Sequence, residues 1–75
     1  MDVPDHHHPD RWIADVFSAK AAQKGGVVRR SVAWVERQIG RDRFIEEVRV
    51  RKFYLLECAG QFIVICSASP VRRLL

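Results

Sequence analysis

The sequence predicts a small α+β domain in which two or three helices pack on an antiparallel β-hairpin. Three observations carry that class. Apolar residues recur at helical spacing through the first two thirds of the chain, and two six-residue runs rich in β-branched and aromatic side chains flank Ala59-Gly60. The composition, 48% hydrophobic and 29% charged over 75 residues, is that of a globular domain and not of a disordered chain.

Residues 1–9, Met-Asp-Val-Pro-Asp-His-His-His-Pro, hold two prolines and no periodicity and read as a disordered tail, leaving a single domain over 10–75. Asp10 is the expected N-cap of a first helix over 11–24, in which Trp12, Ile13, Val16, Phe17 and Ala21 recur at helical spacing and Gly25-Gly26 forms the stop. A second helix is expected over 28–39. On a helical wheel Val28, Val32, Val35 and Ile39 fall within an arc of about 60°, Arg30 and Arg37 lie opposite, and Gly40 ends the pattern. Asp42 can cap a third helix over 42–51 whose Phe44, Ile45 and Val48 share a face. The alternation Val48-Arg49-Val50-Arg51 leaves open a strand that begins before Phe53.

Phe53-Tyr54-Leu55-Leu56-Glu57-Cys58 and Gln61-Phe62-Ile63-Val64-Ile65-Cys66 form the hairpin. Gly60 takes the positive-φ position, either in a two-residue loop that pairs Cys58 with Gln61 or in a bulged turn that pairs Glu57 with Gln61. Neither register sets Cys58 opposite Cys66, so no intrachain disulfide is expected. Ser67-Ala68-Ser69-Pro70 makes a further turn, after which residues 71–75 are placed to add a third strand to a meander. Both hairpin strands are apolar on both faces. The second and third helices can cover one face, which leaves the other for the first helix or for a second copy, and a homodimer through the apolar sheet face is the resulting expectation.

Thirteen Lys and Arg against nine Asp and Glu give a formal charge of +4, but the charge is uneven: residues 1–10 sum to −3, residues 11–52 to +6 and residues 53–75 to +1. The length excludes a (β/α)₈ barrel or a complete dinucleotide-binding domain. The longest apolar run is five residues, Phe62 to Cys66, against the roughly 20 that span a bilayer, so no membrane partner is expected. Two cysteines, no CxxC pair and no secretory signal point to a thiol-reduced, cytoplasmic protein.

His6-His7-His8, with Asp5 and Asp10, are metal-ligand residue types, but neighbours in a tail lack fixed geometry, so no metal site and no cofactor are expected. Lys24-Gly25-Gly26-Val27-Val28-Arg29-Arg30 sets glycines and arginines before a helix, as phosphate sites do, yet lacks P-loop spacing and reads as a helix stop and joint. The strongest candidate site is Arg29, Arg30, Trp34, Arg37 and Arg41. A basic helix face of this kind would hold phosphates while the indole stacks on a base. Glu36, Asp42, Glu46 and Glu47 interrupt it. No catalytic residues are expected: the three histidines all lie in the tail, the cysteines sit in apolar strands, and Glu46 and Glu47 point about 100° apart on a helix.

The order helix, helix, hairpin around a basic central segment resembles a winged-helix arrangement, which implies that the third helix enters the groove and Ala59-Gly60 is the wing tip. Residues 43–75, with helix, aromatic-rich strand, Gly-containing turn, strand, Pro turn and basic end, are similar to HicA-type messenger-RNA interferase toxins, which implies a double-stranded-RNA-binding-like fold. Those toxins carry a catalytic His in a Gly-Ser-His turn. Gly60-Gln61-Phe62 stands here instead, so the activity does not carry over. Val-Val-Arg-Arg before a helix and Ala-Gly-Gln-Phe-Ile-Val in the hairpin also resemble short bacterial proteins of unknown function. The functional expectation is a non-catalytic binding module with nucleic acid as its ligand. The rival is a homodimeric protein-interaction or regulatory module that uses the apolar sheet face.

Overall fold

A computed structural model describes residues 8–75. The elements in chain order are α1 (Pro9–Phe17), α2 (Lys20–Gln23), β1 (Val27–Ser31), α3 (Val32–Gln38), α4 (Arg41–Val50), β2 (Tyr54–Cys58) and β3 (Gln61–Ile65). The domain is α+β, with one antiparallel three-stranded sheet in the order β1-β3-β2.

The expected helix over 11–24 is two helices. Pro9 sits in the first turn, where its ring presets φ and its missing N–H leaves nothing unpaired; the N-cap is therefore His8, and Asp10 lies inside the helix near its positive end. The helix closes at Ser18, whose N–H bonds to the Ala14 carbonyl at 2.8 Å, and extended Ala19 (ψ 149°) starts α2 on a new axis. That break changes the phase, so Ala22 is buried and Ala21 exposed. The glycine stop is as expected: Gly25 takes φ +74°, and the Gly26 N–H reaches back to the Ala21 carbonyl at 2.7 Å.

The expected helix over 28–39 is overturned in its first turn. Residues 27–31 form β1, paired with β3 from Val27↔Ile65 to Ser31↔Gln61, and only Val32–Gln38 is helical. Ser31 divides the two: its backbone is extended, and its hydroxyl accepts the Trp34 N–H at 3.2 Å as an N-cap. Val28 fits the helical stripe and the strand alternation equally well, and pairing across to Val64 decides in favour of the strand. β1 is thus the third strand of the sheet. Residues 71–75, expected to supply it, have no regular structure and are exposed.

The third helix runs one residue earlier than expected, Arg41–Val50, so the strand alternative for residues 48–51 does not hold. It ends in a left-handed Lys52 (φ 61°), with the Phe53 N–H on the Val48 carbonyl at 3.2 Å. A side chain at such a φ costs about 1–2 kcal/mol. Lys52→Gly should therefore raise the stability by about 0.5–1 kcal/mol after the added chain entropy of glycine is subtracted, read as a higher denaturation midpoint. The hairpin takes the two-residue loop, Cys58 opposite Gln61, with Ala59 (φ 51°) and Gly60 (φ 74°) both left-handed.

All helices lie on one face of the sheet. Phe62 and Val64 of β3, with Cys66 just beyond its end, project into them and meet Trp12, Ile13, Val16, Val28, Val35, Phe44 and Val48. Phe44 is the hub: its ring lies 5.1 Å from Phe62, 6.2 Å from Trp12 and 6.3 Å from Phe17.

Candidate functional site

Strand alternation sorts the sheet into two faces. Leu55, Val64 and Val28 stand side by side on the helix face, as do Glu57, Phe62 and Arg30. No helix among the described residues lies over the opposite face. Across it run three rows: Val27, Ile65 and Tyr54; then Arg29, Ile63 and Leu56; then Ser31, Gln61 and Cys58. Val27 is 51% and Leu56 49% exposed, Tyr54 is exposed, and Ile63 and Ile65 are half-buried by their neighbours. Among the described residues this face holds one cation, Arg29, and no carboxylate. The single acidic residue of the strands, Glu57, belongs to the other face, where Arg41 holds it.

The five residues picked out in the sequence do not share one surface. Arg29 and Arg30 are strand residues and not part of a helix face, and alternation sends Arg29 to the open face and Arg30 to the helix side, where it donates to the Arg29 carbonyl at 2.7 Å. Trp34 lies in the first turn of α3 and packs edge-on against Trp12, centroids 5.8 Å apart, while remaining 44% exposed. Arg37 lies exposed in the last turn of α3 and makes no ion pair among the described residues. Arg41 bonds to Glu57, lies 3.6 Å from Glu36 and places its guanidinium 5.2 Å above the Phe62 ring. These contacts join α3, α4 and β2.

Other arginines are spent the same way. Arg43 bridges Asp10 (2.7 Å) and Glu47 (3.0 Å), tying α1 to α4; Arg51 bonds Glu47 (2.7 Å) and covers the Phe17 ring at 4.1 Å; Arg49 pairs with Glu46 at 3.3 Å. Among the described residues, Arg41, Arg43, Arg49 and Arg51 thereby hold Asp10, Glu36, Glu46, Glu47 and Glu57. The other nine basic residues, Lys24, Arg29, Arg37 and Lys52 among them, have no side-chain carboxylate partner there.

Hydrogen bonds from Arg51 and then Arg43 hold the Glu47 carboxyl below its ordinary range, and Arg43 does the same for Asp10. A carboxylate depressed in the folded state adds stability above its unfolded-state pKa, and that contribution is lost as the pH falls through the lower folded value. The melting temperature should therefore fall on acidification below about pH 4.5, the ordinary glutamate range, and Glu47→Gln should lower it near neutrality while flattening the acid limb. An unchanged acid limb in that variant would assign the loss to other carboxylates.

The cysteines are free, Cys58 exposed at the hairpin end and Cys66 buried, with burial pushing the Cys66 thiol up. Among the described residues no three His, Cys, Asp or Glu gather as a metal site would require. His6 and His7 lie outside the described residues. No helix among the described residues is long and apolar enough to cross a membrane.

The open face was partly visible in the sequence as the surplus of apolar strand surface, through Tyr54, Leu56, Ile63 and Ile65. Val27 and Arg29 were hidden, because the helical stripe absorbed Val28; Ser31, an N-cap residue type in front of Val32, is the signal that separates them. No protein-family model, no curated protein and no solved structure matches the chain.

Proposed function

We propose that this chain is a non-catalytic protein-interaction module whose working surface is the open sheet face. The observation that carries this reading is the uncovered apolar row pair of Val27, Ile65, Tyr54, Ile63 and Leu56, within a domain that buries Val28, Phe62 and Val64 of the other sheet face under helices. Side chains of this kind in one contiguous patch are the mark of a surface that meets another chain.

Nucleic acid is the second reading. It is favoured by the exposed Trp34 and Arg37 on α3, and by an element order in which β1 lies between the helices and pairs with the hairpin, in keeping with a winged-helix arrangement. It ranks second because α4, which would enter the groove, exposes Asp42 and Glu46, while Arg41 and Arg43 are held by carboxylates.

The readings separate by photocrosslinking in cells from a benzophenone side chain at position 56 or at position 37. Protease-sensitive adducts from position 56 alone support protein interaction. Nuclease-sensitive adducts from position 37, with salt-dependent oligonucleotide binding that is lost in Arg30→Ala/Arg37→Ala, would reverse the order.

A further inference from the structure

With the open face taken as a protein-interaction surface, the reading on which this inference rests, its size and charge pattern narrow the partner. Three strands about 4.8 Å apart, with same-face residues about 6.8 Å apart, give a footprint of roughly 300 Å². A stable interface between two globular copies takes about 800 Å² from each partner. The footprint is too small for that and suits a single segment of chain lying across the sheet.

Charge gives the segment its sign. Among the described residues Arg29 has no carboxylate partner and the face itself holds no carboxylate. Lys24 lies just before β1 and Lys52 just before β2, both at the end of the sheet where Val27, Ile65 and Tyr54 lie abreast. Arg72 follows from the chain that leaves β3 at that end, anchored there by the Cys66 N–H on the Gly26 carbonyl at 2.9 Å. A face-to-face pair about a two-fold along the strands would bring the end cations together, and one about a two-fold across the middle row would set Arg29 against Arg29, which disfavours self-association. A nucleic-acid strand would want aromatic platforms, and among the described residues Tyr54 is the only ring on the face.

From this geometry we infer that the open sheet face binds an acidic amphipathic segment of a partner protein, its apolar side on Leu56, Ile63 and Ile65 and its carboxylates toward Arg29, Lys24 and Lys52. The segment's apolar residues would fill the shallow rows between the strands, and its acidic flanks would meet the rim, so affinity should weaken with salt.

The test uses the full chain and two fluorescent synthetic helical peptides with the same leucine and isoleucine pattern, one with glutamate and one with lysine at its polar positions. The glutamate peptide should bind at micromolar Kd. Arg29→Glu, a change of an exposed side chain, should weaken it about tenfold, and Leu56→Glu should abolish it, with an unchanged circular dichroism spectrum as the control for folding. Amide shifts should move in β2 and β3 and not in α3. Absence of binding by the glutamate peptide overturns the inference. If the lysine peptide binds equally well and both are lost in Leu56→Glu, the acidic class falls while the interaction face stands. Binding indifferent to Leu56→Glu removes the face itself. A dimer mass by light scattering that Leu56→Glu returns to monomer would overturn the inference in favour of a second copy. Capture by anionic phosphatidylglycerol vesicles in place of the peptide would overturn it in favour of a lipid surface.

Discussion

Phe44→Ala should unfold a large part of the population under conditions in which the parent chain is folded. The side chain is fully buried, and its ring meets those of Phe62, Trp12 and Phe17, so it joins α4 to the sheet and to α1 at one point. Truncating a phenylalanine in a packed core costs about 3–5 kcal/mol. At roughly 0.05–0.15 kcal/mol per residue, a chain of 75 residues has about 4–11 kcal/mol in total. The loss thus approaches the whole reserve at the lower end of that range. Urea denaturation followed by circular dichroism should show a collapsed midpoint, and Phe44→Leu, which keeps much of the volume, should restore most of it. A cost under about 1 kcal/mol for the alanine variant would mean that Phe44 is not the hub of the core.

Arg30→Pro should be nearly as damaging, while Arg29→Pro, one residue away, should be tolerated. The Cys66 N–H on the Gly26 carbonyl and the Val32 N–H on the Gly60 carbonyl set the phase of the β1–β3 ladder. Antiparallel alternation then turns the backbone of Val28 and Arg30 toward β3 and that of Arg29 outward, at the sheet edge. A proline at position 30 removes a ladder donor, leaves the Phe62 carbonyl without it and drives its ring toward β3, for a cost of about 3 kcal/mol or more. At position 29 the missing N–H faces solvent, as it does for prolines found in edge strands, and the cost should be about 1 kcal/mol. Were residues 28–39 one helix, both prolines would sit in its first turn, where no intrahelical donor is lost, and both would be tolerated alike. Equal effects from the two would therefore contradict β1, and the comparison is read from two denaturation curves.

The hairpin and α4 were legible because their signals are local. Gly60 needs its turn wherever the chain goes, and Phe44, Ile45 and Val48 keep helical spacing whatever they pack on. β1 was not legible. Its five residues have no turn of their own to mark them, and they become a strand only through a partner about thirty or more positions away. The candidate site suffered for the same reason. Arg30, Trp34, Arg37 and Arg41 line up only if the backbone is helical from 28 onward, and a strand in front of Ser31 sends Arg29 and Arg30 to opposite faces. Charge counts also concealed the pairing. Nothing in a sum of +4 distinguishes Arg41, fastened to Glu57 and Glu36, from Arg37, which no carboxylate among the described residues holds.

The unequal burial of the two thiols makes the molecule its own recorder of opening. A thiol-reactive reagent should modify Cys58 at once, because it stands in water at the hairpin end, whereas Cys66 is shielded beneath the helices and reacts only when β3 separates from them. With Cys58→Ser in place, the rate at which Cys66 takes up label becomes a clock for that separation, readable by mass in a mixture and at concentrations far below those needed for spectroscopy. A segment that clamps the far side of the same strand would slow the clock.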